Sequence, residues 1–139
     1  MNVLMLLKNK TEVAYLFENN TLRQGIEKMR AHGYTAIPVL SQDGQYIGSV
    51  SEGDFLWHII EYHNSDLKVQ ENYLVKDILR KNFNPAVKID VSMDVLLERS
   101  MSQNFIPVVD DRNFFIGIVT RQDIIRSILK SSQKKKDSA

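Results

Sequence analysis

An internal repeat of about seventy residues restricts what this sequence can fold into more than any other feature. Ile37-Pro38-Val39-Leu40 aligns with Ile106-Pro107-Val108-Val109 at a shift of 69 positions. The same shift runs without a gap through Ile47-Gly48-Ser49-Val50-Ser51 over Ile116-Gly117-Ile118-Val119-Thr120, and ends at Asp54-Phe55-Leu56 over Asp123-Ile124-Ile125. Upstream the shift becomes 71, pairing Thr21-Leu22 with Ser92-Met93 and Ile26-Glu27 with Leu97-Glu98. Still earlier, Leu6-Leu7-Lys8 resembles Ile78-Leu79-Arg80. Self-similarity at a fixed period marks one supersecondary unit used more than once.

Each copy reads the same way. A short helix (Val3 to Lys8; Val75 to Lys81) precedes a brief apolar strand (Val13 to Phe17; Ala86 to Ile89). A helix with apolar positions Leu22, Ile26 and Met29 at helical period follows. Then come a strand (Ala36 to Leu40; Ile106 to Val109), a polar turn, a second strand (Tyr46 to Val50; Phe114 to Val119) and a last helix (Glu52 to Tyr62; Arg121 to Lys130). The predicted fold class is α+β, with two β-α-β-β-α units over residues 1–66 and 67–130. One such unit leaves a sheet face uncovered, so the two are expected to pack sheet against sheet or helix against helix, as a pseudo-twofold pair. Residues 131–139, with three consecutive lysines among polar residues, have the composition of a disordered basic tail.

Composition removes several function classes. Eighteen Lys and Arg stand against 17 Asp and Glu, a net charge of +1, which argues against a surface for nucleic acid. Without residues 130–139, which hold four lysines and one aspartate, the body carries 14 basic and 16 acidic groups, a net of −2. An anionic ligand must therefore be held by local groups. The absence of cysteine excludes disulfides, thiolate metal sites and thiol nucleophiles. The apolar start, Met1 to Leu7, is too short for a signal segment, and no run is long enough to cross a membrane, so a cytoplasmic protein without a membrane partner is expected.

The chemistry concentrates where the second strand of each copy enters its helix. Gly48-Ser49-Val50-Ser51-Glu52-Gly53-Asp54 and Gly117-Ile118-Val119-Thr120-Arg121-Gln122-Asp123 both place a hydroxyl residue at the junction and an aspartate three positions on. One reading is a capping box, the hydroxyl accepting from an amide of the first turn and the carboxylate reaching back. The other is a nucleotide site: free amides and the positive helix end attract a phosphate, Arg121 adds a charge, and a carboxylate accepts from ribose hydroxyls. The spacing fits both.

The two copies, with their Ile-Pro-Val motifs and Ile-Gly-x-Val-Ser/Thr-x-x-Asp junctions, resemble a pair of CBS motifs, the cystathionine β-synthase-type regulatory module, over nearly the whole chain. The resemblance implies two clefts between the copies that take adenosine-containing ligands such as AMP, ADP, ATP, S-adenosylmethionine or cyclic di-AMP. In the first, Val13, Ala14, Tyr34, Thr35, Ala36 and Ile37 would meet the adenine, while Thr120, Arg121 and Asp123 take phosphate and ribose. The second would use Ala86 with Pro85, then Asn104, Phe105 and Ile106, with Ser51 and Asp54. Ala36 leaves the first open where Phe105 either blocks the second or offers a stacking face, and Glu52 stands where the first has Arg121, so the second is expected to be empty or weak.

The chain is also similar to small stand-alone CBS proteins of Gram-positive bacteria that bind cyclic di-AMP and signal to partner enzymes. Glu12 and Gln122 stand where members of that group can carry basic residues, whereas Asp123 suits the free ribose diol of a mononucleotide. AMP, ADP or ATP and cyclic di-AMP therefore both remain open as regulatory ligands. No cofactor, no metal and no catalysis are expected. His58 and Glu61 lack a third ligand in view, and Trp57 reads as core or as an interface between pairs. The expected function is a nucleotide sensor that acts as a homodimer of pairs and signals to a partner protein. The competing reading is a structural dimerisation module with empty clefts.

Overall fold

The computed structural model describes residues 2–63, 65–80 and 82–138, the backbone alone beyond residue 133. The first copy contains α1 (Val3–Leu6), β1 (Lys8–Asn9), β2 (Leu16–Phe17), α2 (Leu22–His32), β3 (Ala36–Leu40), β4 (Tyr46–Ser51) and α3 (Glu52–Tyr62). Short 3-10 turns at Lys10–Glu12, Val69–Asn72 and Val75–Asp77 join the elements, and β5 (Val87–Lys88), α4 (Met93–Ser100), β6 (Phe105–Val109), β7 (Phe115–Thr120) and α5 (Arg121–Ser138) complete the second. One sheet has the order β2-β3-β4, the other β1-β7-β6-β5. In each, a parallel pair (β2 with β3; β5 with β6) adjoins an antiparallel hairpin with the same irregularity, at Val39/Leu40 and at Val108/Val109.

Local chemistry explains the starts. Thr21 caps α2 with Gln24 in a reciprocal box, Ser92 caps α4, and Ser51 caps α3 with Asp54. The two sheets then pack against each other, which decides between the two packings that the open face allowed. Leu40 and Tyr46 of one meet Val109, Phe115 and Ile118 of the other, with Tyr15 edge-on to Phe115 at 6.0 Å. The hairpin turns interlock: Tyr46 N–H donates to Asn113 O (3.1 Å) and Phe115 N–H to Gly44 O (3.0 Å).

The cores do not follow the halves of the sequence. Val75, fully buried, packs in the first copy's core with Leu22, Ile37, Val50 and Phe55, while Val3 packs in the second's with Leu96, Ile106 and Ile124. The opening segment of each copy thus crosses to the other. Backbone bonds fix the crossing, Val75 N–H to Asn20 O (2.8 Å) and Leu22 N–H to Tyr73 O (2.9 Å). On the other side β1 pairs antiparallel with β7, Lys8 opposite Ile118 and Asn9 opposite Gly117; Arg80 bridges Ser49 in the corresponding place. Glycine allows this approach. A Cβ on Gly117 would collide with the Lys8 carbonyl oxygen, and one on Gly48 would lie 2.9 Å from Leu79 Cδ1 and 3.2 Å from Arg80 O.

Several expectations change. The opening strands are shorter than predicted, two residues each; ahead of the first, the Ala14 N–H donates to the Tyr34 hydroxyl (3.5 Å). The segment expected as a helix from Val75 is a 3-10 turn over Val75–Asp77, and Lys81, its expected end, lies outside the described residues. Helix α5 continues to Ser138, past the end expected at Lys130 and through most of the segment predicted to be disordered; Lys and Gln sustain helix well. Ala139 lies outside the described residues. Trp57 is 71% exposed, on an apolar face of α3 with Leu56 and Ile60, and so is not core.

Candidate functional site

The crossing of β1 with the start of β6 and the end of β7 leaves a cleft of about 310 Å³ between the copies. Val13, Ala14, Tyr34, Thr35 and Ala36 form its wall on the first copy, and Asn104, Phe105, Ile118 and Thr120 its wall on the second. Six of the nine residues expected at the first cleft are therefore together. A volume near 300 Å³ is at the small end for small-molecule sites, and an apolar wall with a few converging polar groups is their usual make-up.

At one edge stands a cation not expected from the motif, Lys8, whose Nζ lies 3.8 Å from Asp123 Oδ2. Asp123 belongs to the first turn of α5, where its N–H donates to the Thr120 hydroxyl (3.1 Å), and its other oxygen lies 3.6 Å from Arg126. The capping reading of the junction is met in its first half, the amide-to-hydroxyl bond. The hydroxyl caps the helix, and the cap lies on the cleft wall beside a lysine. Glu12, also on the lining, keeps the cleft from being strongly basic.

The remaining site residues are placed differently. Arg121 does not offer its charge to the cleft: Nε donates to Ser100 O (2.6 Å) and a terminal nitrogen to Met101 O (3.5 Å). Those carbonyls belong to the C-terminal end of α4, which needs donors, and a guanidinium satisfies it well. Ile37 and Ile106 are fully buried in the two cores, since residues along a strand alternate between faces. Asn104 and Phe105, expected in the second cleft, line the first, because β6 lies beside β7 with Phe105 opposite Thr120.

On the Ser51 side the polar groups answer one another. Asp54 accepts from Ser51 N–H (2.8 Å) and from the Ser51 hydroxyl (3.1 Å), and Arg80 Nε lies 2.8 Å from its other oxygen. Another Arg80 nitrogen donates to the Ser51 hydroxyl (3.3 Å), and the guanidinium stacks on Phe83 at 4.0 Å. Below, the Tyr46 hydroxyl donates to Asn84 O (2.6 Å) and bonds the Ser49 hydroxyl (2.8 Å), and burial holds its proton well above the usual phenol range. Ala86 packs between the sheets.

The two cations could have been found. Lys8 and Arg80 occupy matching places in Leu6-Leu7-Lys8 and Ile78-Leu79-Arg80, and they reach matching aspartates. What the sequence hid was the crossing that delivers each to the other copy.

Residues 9–61 and 75–130 each match the CBS domain. The chain belongs to the CBS-domain family. It holds two CBS motifs, as the repeat implied. It is 28% identical to the uncharacterized protein MJ1426 of Methanocaldococcus jannaschii, over 82% of this chain and 84% of that one. It is 26% identical to cyclic di-AMP receptor B of Bacillus subtilis, over 86% and 80% respectively. Three other archaeal relatives are longer, and the chain spans about half of each. Among solved structures, CbpB in complex with c-di-AMP superposes with a TM-score of 0.90 at 17% identity, covering 100% of this chain and 91% of that one, a likeness of fold. No helix among the described residues is long and apolar enough to cross a membrane.

Proposed function

We propose that this CBS pair is a non-catalytic regulatory module of the cytoplasm that binds an adenine nucleotide in the cleft between its copies and signals occupancy to a partner protein. The observation that carries the reading is the juxtaposition of a small apolar slot with a phosphate-holding edge. Val13, Ala14, Tyr34 and Ala36 offer a base-sized pocket, and Thr120 at the start of α5 with Lys8 beside it offers a hydroxyl, a helix end and a charge. AMP, ADP, ATP and cyclic di-AMP all present that chemistry, and receptor B is named for the last.

The opening segments give the module a means of response. Lys8 is joined through β1 to the second sheet and through Val3 to the second core, so a phosphate that draws on Lys8 acts on the docking of the whole segment. A ligand shifts such an equilibrium only by the difference in its affinity for the two arrangements. Exposed apolar side chains on α3 (Leu56, Trp57, Ile60) and α5 (Ile125, Ile128, Leu129) are the surfaces through which two pairs would associate.

Calorimetric titration and thermal shift with AMP, ADP, ATP, S-adenosylmethionine and cyclic di-AMP test the reading. A ligand at about 100 times its Kd adds ~2.7 kcal/mol of stability. The expected result is binding by at least one adenine nucleotide, weakened in Lys8→Ala. Silence from all five would favour the structural dimerisation module with empty clefts.

A further inference from the structure

A second, larger cavity adjoins the nucleotide cleft. It has a volume of about 700 Å³ and runs between the opening segment and α5, with Met5 and Leu6 on one side and Arg126 and Lys130 on the other. Lys8 and Asp123 line it too, and Lys8 also lines the cleft, so the two cavities share that rim. Three cations, Lys8, Arg126 and Lys130, and one carboxylate, Asp123, line the larger cavity. Asp123 stands between two of them, 3.8 Å from Lys8 Nζ and 3.6 Å from Arg126. Neither contact is close enough for a strong charge-assisted bond, which is shorter by about 1 Å.

We propose that this groove takes a second phosphate of the nucleotide whose base and first phosphate occupy the cleft, so that the physiological ligand carries more than one. The inference rests on the nucleotide reading of that cleft and deepens it. A cleft of about 310 Å³ has room for little more than a nucleoside and its phosphate, and further groups must leave past Lys8. The exit there leads to Arg126 and Lys130, the basic face of a helix in a body that is otherwise acidic. An arriving phosphate replaces Asp123 as the partner of both cations and gives them a doubly charged, multidentate acceptor. Nucleoside polyphosphates and cyclic dinucleotides share this chemistry.

The test titrates AMP, ADP, ATP and cyclic di-AMP into the full chain and into Arg126→Gln/Lys130→Gln, with melting temperatures as the control for folding. Both side chains are exposed, so the variant should fold. The expected result is AMP affinity within about twofold of the unmodified chain and a loss of about tenfold, ~1.4 kcal/mol, for a ligand with two or more phosphates. Selective loss for ADP and ATP identifies a polyphosphate tail, and for cyclic di-AMP alone a cyclic dinucleotide. Equal weakening of AMP, an unchanged affinity for every ligand, or an unmodified chain that binds only AMP would each overturn the groove while the cleft stands. Binding of none would overturn both.

Discussion

The two clefts of the pair descend from one sequence pattern, yet the molecule treats them in opposite ways. At the Thr120 junction Lys8 hangs 3.8 Å from Asp123, and the wall behind it is apolar, with Ile118 and Phe115. At the Ser51 junction the corresponding positions are Ser49 and Tyr46, which bond each other and Asn84, while Arg80 clamps Asp54 at 2.8 Å. A cleft whose polar groups are already satisfied gains little from a ligand, because new bonds only replace existing ones. The two repeats thus differ in how far each junction spends its polar groups on itself.

The largest effect tests the crossing that creates both clefts. Gly117→Ala drives a Cβ into the Lys8 carbonyl and should cost about 3 kcal/mol in denaturant unfolding. Gly48→Ala, whose Cβ meets the movable Leu79 side chain at 2.9 Å and the Arg80 carbonyl at 3.2 Å and takes on a positive φ, should cost less, about 2 kcal/mol. Equal costs would mean that β1 is no more tightly docked than the segment at Arg80.

Tyr46→Phe leaves the Ser49 hydroxyl and Asn84 carbonyl without their shared partner and should cost about 2 kcal/mol. It should also change the pH profile. An unfolded tyrosine releases its proton near pH 10.0, and burial keeps Tyr46 protonated above that. The folded state then binds a proton the unfolded chain has lost, so stability falls as the pH rises above ~10. Tyr46→Phe should remove that part of the alkaline decline, and a decline of undiminished slope would contradict the assignment.

Smaller effects separate the two cations. Lys8→Ala should weaken nucleotide binding about tenfold, ~1.4 kcal/mol, by calorimetry, whereas Arg80→Ala should leave affinity at the first cleft within about twofold. Equal losses would erase the distinction between the clefts. Last, Arg121→Ala should lower stability by about 1 kcal/mol through the freed carbonyls of Ser100 and Met101, with little change in ligand affinity. A large loss of affinity there would restore Arg121 to the cleft.

Much of this was legible in the residues. The boundaries of β3, β4, β6 and α3 agree closely with expectation because apolar periodicity and caps act locally. That Val13 to Ala14 and Tyr34 to Ala36 line one cleft with Thr120 agrees with the positions the family resemblance implied. Arg121 did not follow, since a charge beside a cap satisfies a phosphate or the end of a neighbouring helix equally well, and only the position of α4 chooses. Phe105 changed sides for a similar reason: its neighbour across the sheet is Thr120, a pairing fixed by register.

By itself, the sequence determined that the chain is a pair of like α+β units, that the open face of each must be covered by the other, and that hydroxyl and carboxylate meet at two helix starts. Those follow from periodicity and from the cost of an uncovered apolar face, which act within or between neighbouring elements. Tertiary structure alone decided that each opening segment completes the other copy, and hence that Lys8 and Arg80 meet Asp123 and Asp54 across the pair. Contacts of that kind join residues far apart in the chain, and two glycines with room for a passing backbone select them.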